Sequence, residues 1–380
     1  MFSKRKVLRA SVVAAISGAM VLGAAPAFAL KLPHTFMKLA SSPLLAKPGI
    51  VLIDPASDQT LFSQAPDVLR APASVLKLVS MTTAIHTLGA DKTFTTSIST
   101  TDKPDTFILL GEGDPWLTAS DFEAKKYHRA YSPSLINAVL AANPGMKSMT
   151  LDFSGVYTLD AQTLQKFFAG RVNITLNPIT SPSAAQAEAV NKIAEITSPP
   201  LSDIAQFTLL WSDNVLADRL ARTAAEKLGF GGEAAGIQQA FEKTLDEFGV
   251  EHNGLAIYDG NGLSKETRIS ARTIGELLVK IQSTPELKVI ADGLPLAGKT
   301  GTLQTRFVTD APKAVGLVQA KTGWINGTVS LAGYVNVRDK KYVFAVIANR
   351  IHPTEYYRQL ARETIDKMLA TIAAPAPKAA

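Results

Sequence analysis

VGLVQAKTGWINGTVSLAGYVNVRDKKYVFAVIA, residues 315–348, is the stretch on which the fold turns. Its β-branched and apolar runs at 315–320, 329–337 and 342–348 predict three successive strands, with 338–341 as the hairpin between the last two. Lys321-Thr322-Gly323 falls at the exit of the first strand, and Trp324 follows directly. The period of two puts Thr322 and Trp324 on one face, so the indole either walls a pocket or packs in the core. Residues 353–372 continue as a helix with Tyr357, Leu360, Ile365, Met368 and Ile372 on roughly one face, as packing on a sheet requires.

Working outward from this sheet, residues 49–53 (GIVLI) predict a buried strand closed by Asp54-Pro55, with a second at 60–63. Ala71-Pro72-Ala73 then leads into Ser74-Val75-Leu76-Lys77, and the apolar spacing from 75 to 86 predicts a helix with Pro72 near its start. Residues 94–99 and 106–110 read as paired strands around Asp102-Lys103-Pro104-Asp105. Gly111-Glu112-Gly113-Asp114-Pro115 marks a boundary, and the mixed pattern up to Ser198-Pro199-Pro200 (a helix at 133–142, a strand at 148–157) reads as an insertion. Helices at 204–210 and 215–228 leave Ser212-Asp213-Asn214 in the connection between them. Tyr258-Asp259-Gly260-Asn261-Gly262 is a turn cluster, and Ser270 is the N-cap of a helix reaching 281.

Three motifs therefore stand in order: Ser74 to Lys77, Ser212 to Asn214, and Lys321 to Gly323. An S-x-x-K pair alone arises by chance about once in a chain this long, as Ser3-Lys6 illustrates. With S-D-N and K-T-G it is the signature of class A β-lactamases and penicillin-binding proteins. The chemistry explains the pattern. On a helix Lys77 reaches the Ser74 hydroxyl, which is a weak nucleophile until a base takes its proton. An amine does that only when burial or a nearby positive charge depresses its pKa, and Lys321 is placed to supply such a charge. Ser212 is a proton relay to the leaving amine, Asn214 bonds Lys77 and a substrate amide, and Asp213 braces the loop beside bound substrate. Lys321 and Thr322 offer a cation and a hydroxyl to a substrate carboxylate, and Gly323 lets the strand approach closely. The oxyanion takes the backbone N–H groups of Ser74 and Trp324.

Lys-Thr-Gly occurs a second time at 299–301, followed by Thr302-Leu303-Gln304-Thr305-Arg306 with little strand character. The strand context selects Lys321 as the functional copy. There is no G-x-S-x-G elbow, and the five histidines show no metal-ligand spacing, so neither a metal nor another cofactor is expected.

Composition limits the remaining classes. Residues 1–29 hold Lys4, Arg5, Lys6 and Arg9, an uncharged run from 10 to 25, and Ala27-Phe28-Ala29, which reads as a secretory signal cut after Ala29. Membrane contact is expected only if that segment stays uncleaved. Its four basic residues reduce the net charge of +6 to +2 for the remainder, so basicity gives no reason to expect nucleic acid. With no Cys, disulfides and thiol catalysis are excluded.

The chain resembles the low-molecular-mass class C penicillin-binding proteins, the serine-type D-alanyl-D-alanine carboxypeptidase/endopeptidase family. Besides the three motifs, Gly113-Asp114-Pro115, Asp259 to Ser264, Gly301-Thr302-Leu303 with Arg306-Phe307, and Leu331 to Val335 carry the likeness over most of residues 45–370. It implies an α/β (α+β) transpeptidase-like fold, an antiparallel sheet flanked by helices with an all-helical subdomain and a small inserted α+β module. The expected division is a signal at 1–29, the penicillin-binding domain at 30–110 and 198–372, the module at 111–197 and a disordered tail at 373–380. The implied partners are peptidoglycan stem peptides, acylating Ser74, and β-lactams as covalent inhibitors, in the periplasm or extracytoplasmic wall space. The family usually has Thr or Ser after K-T-G, so Trp324 is a departure. A serine β-lactamase, or a non-catalytic wall-binding protein with a relic site, are the competing readings.

Overall fold

The computed structural model describes residues 30–376; the signal segment read at 1–29 and residues 377–380 lie outside the described residues. Leu32 to Ala376 form one compact unit. Helix α1 (His34–Ala40) is followed by strands β1 (Gly49–Asp54) and β2 (Gln59–Gln64), a 3₁₀ turn Ala73–Leu76 and helix α2 (Lys77–Leu88). Strands β3 (Thr95–Thr100), β4 (Thr106–Gly111), β5 (Leu117–Thr118), β6 (Ala130–Tyr131), β7 (Ser148–Ser154), β8 (Asn173–Pro178) and β9 (Lys192–Thr197) alternate with α3 (Asp121–Tyr127), α4 (Pro133–Ala142), α5 (Thr158–Phe168) and α6 (Pro182–Glu188). Helices α7 (Leu201–Trp211), α8 (Asn214–Lys227), α9 (Ala234–Glu247), α10 (Ala271–Ser283) and α11 (Lys288–Asp292) lead to β10 (Val318–Ile325), β11 (Thr328–Val337), β12 (Lys340–Asn349) and α12 (Glu355–Ala370).

The principal sheet runs β10-β11-β12-β1-β2, antiparallel throughout. Its central strands are buried on both faces, which is why they read as near-continuous apolar runs. Alternate residues serve two cores: Val51, Ile53, Tyr334 and Ala345 join the large core with α10, while α12 crosses β11 and meets α1 on the opposite face. The Tyr334 hydroxyl donates to the Leu278 carbonyl at 3.0 Å, so this polar group of the core is satisfied. Helix α2 is the centre of the helical region, buried on every side from Lys77 to Ile85 and packed by α7, α8 and α9.

A second sheet, β8-β7-β4-β3-β9, is parallel at β4-β7 and β7-β8 and antiparallel elsewhere. Helix α5 makes the crossover that a parallel β7-β8 pair demands. This sheet begins at Thr95, earlier than the boundary read at Gly111, because β3 pairs with β9 rather than with the principal sheet. The fold class is α+β with helices on both sides of an antiparallel sheet.

Several local expectations shift. The strand read at 315–320 lies at Val318–Ile325, so Lys321 pairs with Ala332 inside the strand instead of standing at its exit. Cross-strand pairing with the strongly apolar β11 overrides the weak β propensity of Lys321 and Gly323. The strand read to 157 stops at Ser154, where Gly155 takes φ 65°. Within the expected tail, Ala374 bridges Val337, its carbonyl accepting from the Arg338 N–H at 2.7 Å, which ties it to the sheet. Among the described residues no helix is long and apolar enough to cross a membrane.

Candidate active site

Ser74 stands in the 3₁₀ turn that precedes α2, one turn before Lys77. The preceding Ala73 has φ 51°, and the chain is seated there by Gly262, where a Cβ would lie 2.1 Å from the Ala73 carbonyl oxygen. Gly323 plays the same part from the other side. A Cβ at that position would meet Ser330 Oγ at 2.2 Å, the Pro72 oxygen at 2.9 Å and Ser74 N at 3.1 Å. Any larger residue would push β10 away from the Ser74 turn, which Ser330 Oγ also ties to the sheet by donating to the Pro72 carbonyl at 2.6 Å.

Lys77 Nζ is fully buried and uses all three protons: it donates to Ser74 Oγ at 2.9 Å, Asn214 Oδ1 at 2.8 Å and the Asn261 carbonyl at 2.7 Å. Burial pulls its pKa down to about 7, against the opposing pull of Asp259, Asp213 and Asp218. The Lys321 ammonium is also fully buried, and burial followed by repulsion from Lys77 holds it well below the ordinary lysine value. For Lys77 it is loss of water around the amine that favours release of a proton, the condition a lysine base requires.

The S-D-N tripeptide occupies the bend between α7 and α8. Ser212 closes α7 in the left-handed conformation with φ 61°, and Asp213 caps α8, accepting from the Leu216 N–H at 2.9 Å. The Asp213 carboxylate therefore braces the bend and is not part of the cleft wall, whereas Ser212 and Asn214 are. The turn cluster at 258–262 does more than connect elements. Asp259 accepts from the N–H groups of Gly262 and Ser264 at 2.7 and 2.6 Å, fixing the turn whose Asn261 carbonyl holds Lys77.

Strand alternation separates the third motif into two faces. Lys321 and Gly323 point inward toward α2, and Lys321 Nζ donates to the Thr322 carbonyl at 3.0 Å. Lys321 is thus not presented to a ligand carboxylate beside Thr322, because neighbouring residues of a strand face opposite ways. Thr322 and Trp324 face the cleft, and Trp324 is 51 % exposed, which excludes the core position. The second copy is solvent-exposed at Lys299 and enters a 3₁₀ turn at Gly301–Leu303. That turn lies against the first copy, since Thr322 Oγ1 donates to Thr302 Oγ1 at 2.8 Å.

The cleft bordered by Ser74, Ser212, Asn214, Thr322 and Trp324 has a volume of about 840 Å³ and extends to α12. Its wall includes residues that the motifs do not assign to the site: Trp211, Leu263, Lys265, Thr302, Arg306 and Arg362. The stretches around Leu263, Thr302 and Arg306 carry family likeness; Arg362, on a helix whose pattern speaks only for its packing face, carries no signal. Among the described residues no cluster of three or more His, Asp or Glu is arranged to hold a metal.

Fold and site together define a serine hydrolase of the penicillin-recognising kind. The D-Ala-D-Ala carboxypeptidase 3 (S13) family model matches residues 37–142 and 156–372, and the chain belongs to that family. It is a low-molecular-mass class C penicillin-binding protein, a serine-type D-Ala-D-Ala carboxypeptidase/endopeptidase. It is 28% identical to carboxypeptidase DacB of Mycolicibacterium smegmatis over 86% of this chain and 82% of the relative. To the D-alanyl-D-alanine carboxypeptidase of Actinomadura sp. strain R39 it is 24% identical, over 87% and 84% of the two chains. Penicillin binding protein 4 of Haemophilus influenzae shares the fold with a TM-score of 0.70 at 17% identity, over 86% of this chain and 98% of that one. The penicillin G-acylated Bd3459 endopeptidase of Bdellovibrio bacteriovorus has a TM-score of 0.57 at 15% identity, over 87% and 94%.

Proposed function

We propose that Ser74 is the nucleophile and Lys77 its general base in a two-step hydrolysis of D-alanyl-D-alanine ends of peptidoglycan stem peptides. The observation that carries this is the 2.9 Å bond from Lys77 Nζ to Ser74 Oγ inside a site whose burial leaves the amine partly neutral near pH 7. In the first step neutral Lys77 takes the Ser74 proton, Oγ bonds to the penultimate D-Ala carbonyl carbon, and the C–N bond breaks. Ser212 passes a proton to the departing amine. The N–H groups of Ser74 and Trp324 hold the oxyanion, and Lys321, its Nζ on the Thr322 carbonyl, braces the strand that carries the second donor. In the second step water adds to the ester carbon, Ser74 Oγ leaves, and the proton returns through Lys77. Asn214 orients Lys77 and a substrate amide; Thr322 lines the path of the peptide.

β-Lactams would acylate the same oxygen, a reading supported by the penicillin G-acylated state of the Bdellovibrio endopeptidase, which shares the fold. A cell-wall substrate and the signal-like segment at 1–29 support a periplasmic or extracytoplasmic location. The sheet that starts at β3 supports an inserted module spanning 95–197. Intact-mass spectrometry after brief benzylpenicillin exposure, with peptide mapping, tests the assignment. A lasting adduct on Ser74 that Ser74→Ala abolishes is expected. An adduct on the Ala variant would overturn it, and rapid drug hydrolysis without an adduct would move the assignment to a β-lactamase.

A further inference from the structure

Strand β10 carries the third motif at the edge of the principal sheet, paired on one side only, with β11, and it ends at Ile325, where the hairpin turns back to Thr328. A strand end with a single neighbour is the part of a sheet that opens most easily, so its remaining contacts decide how well it is held. On the inward face Gly323 seats against the Ser74 turn. On the cleft face Thr322 is tied to Thr302, and Trp324, an indole where the family usually has Thr or Ser, is held by α12. The Arg358 guanidinium lies over the indole, 4.2 Å from the ring centroid, well inside the range of a cation–π contact. Arg362, one turn further along the helix, lies 5.7 Å from the same centroid.

Arg358 is built into this place. Its side chain is 17 % exposed, and its Nε is buried without an acceptor among the described residues. A guanidinium that leaves a buried N–H unpaired is oriented by something besides its polar contacts, and here the ring is that contact. Glu355, on the same face of α12, pairs with Arg358 and reaches Arg362 at 3.2 Å, which fixes the arginine from its other side. Arg358 also borders the crevice between the β10–β11 hairpin at Ile325 to Thr328 and residues Ile351 to Thr354, so it meets the strand end as well as the ring. The helix that carries it is a firm base: Ala361, Ile365, Met368 and Leu369 are buried, and Asp366 accepts from Arg306 Nε at 3.1 Å.

We propose that Arg358 is a positioning residue for acyl transfer: stacked on the Trp324 ring, it pins the end of β10 and with it the Trp324 N–H that takes the oxyanion. This rests on the reading of Ser74 as the nucleophile with the Ser74 and Trp324 N–H groups as oxyanion donors. Such a donor is effective when it is aimed in advance at the place where charge develops, about 2.7–3.1 Å away. The ring and the N–H belong to one residue, so a ring released from α12 lets the peptide behind it turn out of that range. Arg358 touches no reacting atom in this role, and its effect falls on the transition state rather than on the binding of the ground state.

The test is a double-mutant cycle on Arg358→Met, Trp324→Thr and the two combined, with Arg358→Lys alongside, reading kcat and KM on a synthetic D-Ala-D-Ala peptide and the rate of Ser74 acylation by benzylpenicillin. Arg358→Met keeps an apolar side chain and loses the cation. It should lower kcat and the acylation rate together by about three- to tenfold, the size of a partly desolvated cation–π contact, with KM within about twofold of wild type. Arg358→Lys should recover part of the loss, since an ammonium still sits over the ring without the planar fork. In the Trp324→Thr background Arg358→Met should cost nothing further, because the ring through which it acts is gone. A rise in KM at unchanged kcat would make Arg358 a contact of the cleft wall and overturn the proposal. An undiminished loss in the Trp324→Thr background would overturn it too, by placing the effect in the Glu355–Arg362 pair. If Arg358→Met does not fold by circular dichroism, Arg358→Lys measured in both backgrounds decides by the same coupling. The positioning role and the catalytic assignment fail differently. If the wild type is labelled at Ser74 and cleaves the peptide while the two losses simply add, only the positioning role falls; if the wild type does neither, the catalytic reading falls first.

Discussion

The two Lys-Thr-Gly copies have identical sequences and opposite fates. Lys321-Thr322-Gly323 lies in β10, hydrogen-bond-paired to β11, with its lysine fully buried against the Lys77 side. Lys299-Thr300-Gly301 turns at the surface, with its lysine in solvent and its glycine at φ 54°. Three residues cannot choose between these conformations, since Thr and Gly tolerate both. The choice is made by the residues downstream: a long apolar partner strand in one case, a Thr-Leu-Gln-Thr-Arg run with little strand character in the other. The copies are nonetheless neighbours, because Thr302, directly after the second, accepts a hydrogen bond from Thr322 of the first. The surface copy thus buttresses the strand copy without duplicating its chemistry.

The sharpest way to break this contrast is to remove each lysine in turn. Lys321→Ala is expected to lower peptidase kcat/KM by about 10²–10³-fold, the scale for losing one preorganised electrostatic group, and Lys299→Ala to stay close to wild type. Similar losses in steady-state assays would mean that the surface copy takes part in catalysis. The glycines come next. Gly323→Ala should cost about 1–3 kcal/mol of stability and also slow acylation by benzylpenicillin, because its methyl meets Ser330, Pro72 and Ser74 N. Gly301→Ala, at positive φ with the Leu210 carbonyl 2.4 Å from the new atom, should lower the melting temperature with a much smaller effect on acylation. Equal slowing of acylation in both would erase the distinction between strand and buttress.

A pH profile sharpens the electrostatic half of the comparison. Burial lowers Lys77 to about 7, and the base must be neutral, so kcat/KM should rise with pH through about 7 and level off above it. Lys77 owes its value to burial, and the repulsion between the two lysines falls on Lys321, so Lys321→Met and Lys299→Met should both leave that limb near about 7; stopped-time assays across pH 5 to about 9 read it directly. The smallest effect is expected from Thr302→Val. Losing one neutral hydrogen bond to Thr322 is worth about 0.5–1.5 kcal/mol, and a loss beyond about tenfold in kcat/KM would show that the buttress has a larger role.

Much of the principal sheet is legible in the sequence because its strands are strong and long: residues 329–337 and 342–348 fall within β11 and β12, and Ser270 caps α10 as its position suggests. The helix expected at 133–142 coincides with α4. The differences lie at the edges, where context decides. β10 begins later and runs through the motif because β11 extends its pairing to Thr328↔Ile325. The segments 94–99 and 106–110 do pair as their pattern predicts, but no local signal tells which sheet a hairpin will join. In the site, spacing joins only Ser74 to Lys77 and the grouping with Ser212, Asn214 and the third motif is what the three-motif signature implies, whereas a carboxylate partner for Lys321 conflicts with the alternation that turns it away from Thr322. Asn261 gives no sequence signal because it contributes a main-chain carbonyl, to which its side-chain identity is no guide.

The sequence by itself determined the chemical inventory: a serine with a lysine three residues on, a bend bearing Asn214, and a lysine-threonine-glycine strand beneath an apolar sheet. These are local patterns, and local patterns report backbone conformation and the reach of one side chain along its own element. Only the tertiary structure decided how close Gly323 brings β10 to Ser74, how far Lys77 is desolvated, and that Arg362 of the last helix stands beside Trp324. Each of those depends on distances between segments far apart in the chain, and burial, which sets both the lysine pKa and the value of an unpaired charge, exists only once those segments have packed.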